Sequence, residues 1–317
     1  MIPVNQAEAA ALGAYLASIF GPATRAILHY GSRAQGRASH SDSPFDFFIV
    51  VTGYDDAYRA AASVLGERIH HRRARVLARL LPPNAMCVRA HGRPDGAEAK
   101  CMIISVEDFR RECSAHARDH FVQTRMTQQV LLGWVRDPQT EATVLECVGQ
   151  ARERSFDWLR VFLPPRFTLP DYCRTLIEVA FAHEVRSEPA AHAERLFTAQ
   201  RSLLSDIYGP VLARLTERGV LTRDGEHYRH LPPGLLARSR VRWYFRQSKV
   251  RTSLRLLKHP FLYDDWIGYM TRKIERSTGQ VIELTERERR WPLLFLWPRA
   301  IRYLRTRPQR RGGTGRR

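Results

Sequence analysis

Tyr30-Gly31-Ser32-Arg33-Ala34-Gln35-Gly36, followed after eight intervening residues by Phe45-Asp46-Phe47-Phe48-Ile49-Val50-Val51, is the stretch on which the reading of this chain turns. The run Ala26-Ile27-Leu28-His29-Tyr30 that leads into it has the pattern of a strand, and Gly31-Ser32 breaks that pattern with a turn. The second run is apolar throughout except for Asp46, so it reads as a strand buried on both faces. A carboxylate inside such a strand is costly unless it is paired or metal-bound, which marks Asp46 as a functional residue.

Strand, glycine turn, loop and acid-bearing strand together suit nucleotide transfer. That chemistry needs a turn whose backbone can approach a triphosphate, here Tyr30, Gly31 and Ser32. It also needs a nearby carboxylate to hold Mg2+ against the same phosphates, here Asp46. The competing reading is a chance Gly-Ser turn ahead of an ordinary buried strand. The stretch resembles the signature of the DNA polymerase β-type nucleotidyltransferase superfamily, which commonly carries two carboxylates one residue apart. In this chain the partner position falls on Pro44 or on Phe48, and Asp42 is the nearest acid in the preceding loop.

Working outward, Gln6 to Phe20 repeats its apolar residues at helical spacing and ends at Gly21-Pro22. A helix over 55–81 and strands over 85–90 and 100–105 complete an α/β unit with a mixed sheet, expected over 1–115. Helical segments near 117–132, 138–163, 168–186 and 190–219 predict a mainly helical domain over 116–237. A basic C-terminal region with amphipathic helices spans 238–309, and 310–317 reads as a disordered tail.

Composition narrows the partners. The 317 residues carry a net charge of +19, with 51 Lys and Arg against 32 Asp and Glu, so an acidic partner is expected: a nucleotide, a nucleic acid or a lipid headgroup. The five cysteines show neither CxxC nor Cys/His ligand spacing, which argues against a zinc site or a disulfide framework and for a reducing, cytoplasmic setting. The opening residues lack a secretory signal pattern and no apolar run is long enough to span a bilayer, so any membrane contact is expected to be peripheral. The scattered histidines, His29, His40, His70, His71 and His91, read as structural or surface residues.

The order of short motifs from Tyr30 to about Phe261 is similar to that of the mitochondrial-type CDP-diacylglycerol synthases, the translocator assembly and maintenance family. In that family a single-acid strand follows the glycine-serine turn, as at Phe45-Asp46-Phe47. Its lysine-led strand resembles Lys100-Cys101-Met102-Ile103-Ile104-Ser105, which implies a catalytic, phosphate-facing role for Lys100. Thr124-Arg125-Met126 falls on a Gly-Arg-Leu element, and the lysine that follows it there is replaced here near Gln128. Ala182-His183-Glu184-Val185-Arg186 and Ser253-Leu254-Arg255-Leu256-Leu257-Lys258 resemble its helical and basic elements. The resemblance thus implies substrate-phosphate roles for Arg125, Glu184, Arg186 and Lys258. It further implies CTP and phosphatidic acid as substrates, Mg2+ as cofactor and CDP-diacylglycerol as product, formed at an anionic membrane surface.

The basic segments fit such a surface. The stretch 238–258 holds eight Lys and Arg and no acid, with Trp243, Tyr244 and Phe245 among them. Further on, Trp291-Pro292-Leu293-Leu294-Phe295-Leu296-Trp297 precedes Arg299, Arg302, Arg305 and Arg307. Aromatic and leucine side chains suit the bilayer interface while arginines meet lipid phosphates. The same aromatics among arginines also suit stacking on bases. Two alternatives therefore stand beside the lipid reading: transfer of a nucleotide to RNA, protein or a small molecule, and a non-catalytic membrane or nucleic-acid binding protein with a degenerate fold.

Overall fold

The computed structural model describes residues 4–36, 44–66, 70–89, 98–183, 190–256, 258 and 285–290. The loop with Asp42, the charges Glu184 and Arg186, the Trp-rich segment 291–307 and the tail 310–317 lie outside the described residues. The chain forms two compact units, Met1–Leu262 and Tyr263–Arg317, and in the second only 285–290 are described, including the short helix Glu286–Arg290.

The first unit begins with helix α1 (Val4–Phe20), a turn at Gly21–Ala23 and strand β1 (Thr24–Tyr30). Helix α2 (Gly31–Ala34) and strand β2 (Phe45–Val51) follow, so both halves of the deciding stretch adopt the expected arrangement. Helices α3 (Tyr54–Leu65) and α4 (His71–Leu80) lead into β3 (Asn84–Arg89) and β4 (Glu98–Ser105). Then come α5 (Val106–Cys113), α6 (His120–Met126) and β5 (Leu131–Val135). The five strands run in the order β3-β4-β2-β1-β5. The β2–β4 pair is parallel and the others are antiparallel, so the sheet is mixed as expected.

β2 is central and apolar on both sides because both faces of the sheet are covered. On one face Leu28, Tyr30, Phe48 and Val50 pack with Phe109 of α5, Val122 and Met126 of α6 and Val144 of the next helix, α7 (Pro138–Leu159). On the other, Ile27, Phe45, Phe47 and Ile49 are buried, and α1 packs against β1 and β5. Burying each such side chain stabilises the fold by roughly 1.5–3 kcal/mol.

The helical part follows the expected order. α7 is capped by Asp137, whose carboxylate accepts from the Thr140 N–H at 2.7 Å. Helices α8 (Leu169–His183) and α9 (Ala190–Glu217) pack on α7 around Phe156, Tyr172, Leu204, Tyr208 and Leu212. The last long helix, α10 (Leu235–Leu256), adds Phe245 to that core. The observed fold is therefore an α/β domain with a mixed sheet, a mainly helical part and a basic helical segment.

Three expectations change. The single helix over 55–81 is two, α3 and α4, because Gly66 takes a left-handed φ of 66° and stops the first. The helix over 117–132 ends at Met126, and Leu131–Val135 forms an edge strand instead. Pairing decides that: Leu132 and Val135 lie opposite Leu28 and Ala26. Gly13 lets α1 close in on this strand, since a Cβ there would stand 2.9 Å from the Gly133 carbonyl oxygen. A second sheet, β6 (Arg166–Thr168), β7 (Thr222–Asp224) and β8 (His227–Arg229) in the order β6-β8-β7, was not anticipated. Its strands have three residues each, too few for alternation to register.

Candidate functional site

Strand register builds the site. Tyr30 lies opposite Asp46 in the β1–β2 pair, Asp46 opposite Lys100 in β2–β4, and Lys100 opposite Cys87 in β3–β4. Directly opposed residues project from the same face of a sheet, so these four form one row across four strands. Tyr30 and Phe48 on this face belong to the core beneath α5, α6 and α7. The row sits at the sheet end where that cover stops: the side chains of Asp46 and Lys100 retain 26% and 34% exposure, while Tyr30 is buried.

The turn beside the row is shaped around Asp46. Gly31 has a φ of 83°, a region that costs any residue with a Cβ, and a Cβ there would lie only 2.7 Å from Asp46 Oδ2. The missing side chain is what lets the carboxylate stand against the backbone of the turn. Lys100 Nζ lies 4.0 Å from Asp46 Oδ1, so one anion and one cation share the mouth of the site.

Arg125 enters from α6. It donates a hydrogen bond to the Tyr30 hydroxyl, and its guanidinium lies over the Phe121 ring and donates to the Phe121 carbonyl at 2.7 Å. Burial raises the Tyr30 pKa above that of a free phenol, with the Asp46 charge adding to the effect, so Tyr30 is a neutral hydroxyl at physiological pH. Ser32 is partly exposed in the first turn of α2. Gln35, at the end of α2, donates through Nε2 to Gln128 Oε1 at 3.0 Å.

Of the residues singled out in the sequence, the structure gathers Tyr30, Gly31, Asp46, Lys100 and Arg125, with Ser32 next to Gly31. Glu184 and Arg186 fall outside the described residues. Lys258 is placed differently. It is buried, and its ammonium donates to the carbonyls of Leu81 and Pro83 and to Asn84 Oδ1. Those three acceptors use its three donors, which leaves none for a substrate phosphate. Burial, assisted by Arg255 and Arg251, pulls its pKa down to about 7.

The Gln35–Gln128 contact was not foreseen as a site feature. Its signals were Gln35 inside the turn motif and Gln128 at the replaced lysine. Among the described residues no three His, Cys, Asp or Glu stand together as a metal-binding group. Mg2+, however, keeps several waters and is commonly held by one or two carboxylates plus substrate phosphates. One carboxylate against an open glycine turn therefore fits a metal that arrives with a nucleotide better than one that is permanently resident.

No protein-family model and no curated protein matches the chain. Two solved structures illustrate its likenesses. The STING-associated CdnE c-di-GMP synthase from Capnocytophaga granulosa is 8% identical, with 80% of this chain and 81% of that chain covered and a TM-score of 0.25. A nucleotidyltransferase-like protein from Exiguobacterium sibiricum 255-15 is 11% identical, with 95% and 91% covered and a TM-score of 0.26. Superpositions this loose carry no argument, and the functional reading rests on the geometry of the site.

Proposed function

We propose that this protein is a Mg2+-dependent nucleotidyltransferase that transfers CMP from CTP to phosphatidic acid at an anionic membrane surface, releasing pyrophosphate. The observation that carries the nucleotidyltransferase reading is the contact of Asp46 with the side-chain-free face of Gly31, in register with Lys100. Asp46 holds the metal, the backbone of the Gly31-Ser32 turn receives the triphosphate, and Lys100 offsets its charge. Mg2+, when bound, neutralises the phosphates and favours the departure of pyrophosphate.

An oxygen of the acceptor phosphate attacks the α-phosphorus of CTP. A new P–O bond forms as the bond to the β-phosphate oxygen breaks, and pyrophosphate leaves with that electron pair. A phosphate monoester is already largely ionised near pH 7, so the step requires no general base. The site accords with this: its neutral Tyr30 is a hydrogen-bonding group, and Arg125 beside it orients an anionic acceptor.

The outward side of α10 supports the membrane acceptor. Leu236, Trp243 and Val250 recur at intervals of seven residues and Leu254 follows, all exposed, with Trp243 at 67% exposure. Arg238, Arg240, Arg242, Arg246 and Lys249 flank them and are exposed too. Exposed apolar side chains among exposed cations suit contact with an anionic bilayer surface, where the cations meet lipid phosphates. No helix among the described residues is long and apolar enough to cross a membrane, and in this reading α10 lies along the surface.

The test is incubation of the full chain with phosphatidic acid liposomes, Mg2+ and each labelled nucleoside triphosphate, beside Asp46→Asn. Lipid-phase label from CTP, lost in the variant, is the expected result. Label that enters added RNA instead would replace the acceptor and keep the transferase. No transfer from any nucleotide to any acceptor, with no nucleotide-induced rise in melting temperature, would support a non-catalytic protein.

A further inference from the structure

The segment that joins α6 to β5 is held by its main chain from two other helices. Arg152 of α7 donates to the carbonyls of Met126 at 3.4 Å and Gln128 at 3.1 Å. Tyr208 of α9, fully buried, donates its hydroxyl to the intervening Thr127 carbonyl at 2.7 Å. Three consecutive carbonyls are thus fixed by two side chains, and the side chain of the last residue, Gln128, reaches Gln35. The Gln35 N–H in turn donates to the Gly31 carbonyl at 3.2 Å. Hydrogen bonds linked through the covalent frames of 127–128 and Gln35 therefore connect Arg152 and Tyr208 to the glycine against which Asp46 stands.

We infer that Arg152 and Tyr208 are positioning residues for the nucleotide turn, acting through Gln128 and Gln35 so that the helical part sets the geometry of the phosphate-binding backbone. The inference rests on the nucleotidyltransferase reading above, and it assigns to Gln128 the task of holding the turn rather than of contacting the acceptor. The simpler alternative is that Arg152 and Tyr208 only satisfy carbonyls left open at the C-terminal end of α6, as every helix end requires. That alternative accounts for the main-chain contacts but gives no role to the Gln128–Gln35 link, which touches no carbonyl of α6. Burial draws the Arg152 pKa down, so its contacts to these carbonyls lie away from bulk water.

The two roles separate by measurement. Binding of each nucleoside triphosphate with Mg2+ to the full chain is followed by calorimetry, beside melting temperature, for wild type, Gln35→Ala, Gln128→Ala, Gln128→Glu, Tyr208→Phe and Gln35→Ala combined with Tyr208→Phe. Each alanine variant is expected to weaken nucleotide binding about fivefold, the loss of one hydrogen bond of about 1 kcal/mol, with little change in melting temperature. Gln128→Glu keeps an acceptor for Gln35 and is expected to bind more tightly than Gln128→Ala at high salt, where its added charge is screened from the triphosphate. Tyr208→Phe is expected to weaken binding by itself and to add little to Gln35→Ala, because both lie on one chain of contacts. Unaltered affinity in both Gln35→Ala and Gln128→Ala would overturn the inference while leaving the transferase reading intact, as would full additivity of Tyr208→Phe with Gln35→Ala. If wild type binds no nucleotide, both the transferase reading and the inference fall.

Discussion

Gly31 and Asp46 leave no room for a side chain between them: a Cβ at Gly31 would meet Asp46 Oδ2 at 2.7 Å and the Asp46 Cβ at 3.4 Å. The left-handed φ of 83° adds a second penalty on any other residue. Gly31→Ala therefore pushes Asp46 off the turn and strains the backbone together. The expected outcome is a loss of about 1–3 kcal/mol of stability and of Mg2+-dependent nucleotide binding. Denaturant melts and calorimetry check it, and an alanine variant that binds as wild type does would contradict the site.

Asp119 should be among the most sensitive buried positions. It is 1% exposed and accepts from Arg251 at 2.8 Å and Arg255 at 2.6 Å, while also capping α6 through the Phe121 N–H. Burial would raise its pKa, but Arg255 and Arg251 overcome this and hold it below the usual carboxylate range. Asp119→Ala strands two cations of α10 and uncaps the N-terminal end of α6, the helix that carries Arg125 in its last turn. We expect a loss of about 3–5 kcal/mol, read from urea unfolding. For the same reason the pair stabilises the fold fully above the ordinary aspartate pKa, and that contribution is lost as pH falls through the depressed value.

His29 sets a second dependence on acid. Its ring is buried against Phe45 and Phe47, and among the described residues neither nitrogen has a hydrogen-bond partner. Burial, with Arg33 adding to it, lowers its pKa from 6.5 to about 4. The unfolded chain therefore takes up a proton below pH 6.5 that the folded chain refuses until about pH 4, and stability falls as pH drops across that window. His29→Leu removes the proton and the unsatisfied nitrogens. The variant should melt higher than wild type at pH 5 by more than at pH 7.5, and equal differences at the two values would refute the assignment.

The exposed side of α10 yields a prediction about surfaces. Trp243→Ala removes the largest apolar side chain on that line, and Arg242→Glu with Arg246→Glu reverses two exposed charges. With each cation near an anionic bilayer contributing about 1 kcal/mol, the double reversal should weaken flotation with anionic liposomes by tenfold or more. The loss should shrink at high salt, since exposed charges are screened there. Flotation that all three substitutions leave unchanged would remove α10 from the membrane contact.

What the sequence determined by itself was local. The acid inside an aromatic strand and the glycine turn ahead of it singled out Asp46 and Gly31, because burial costs and turn chemistry act over a few residues, while Lys100 was singled out only by the resemblance of its strand to a family element. The helices over 138–163, 168–186 and 190–219 were legible for the same reason, periodic apolar spacing over many turns. What only the tertiary structure decided depends on partners distant in the chain. Leu131–Val135 is a strand because β1 offers it an edge, although its first two residues read as the end of a helix. Lys258 serves buried oxygens of 81–84 because the chain just beyond α10 brings it there, although the family resemblance implied a substrate phosphate. The row Tyr30, Asp46, Lys100 exists only through register, and register is set when whole strands pair, since a slip of one residue would turn each side chain to the opposite face.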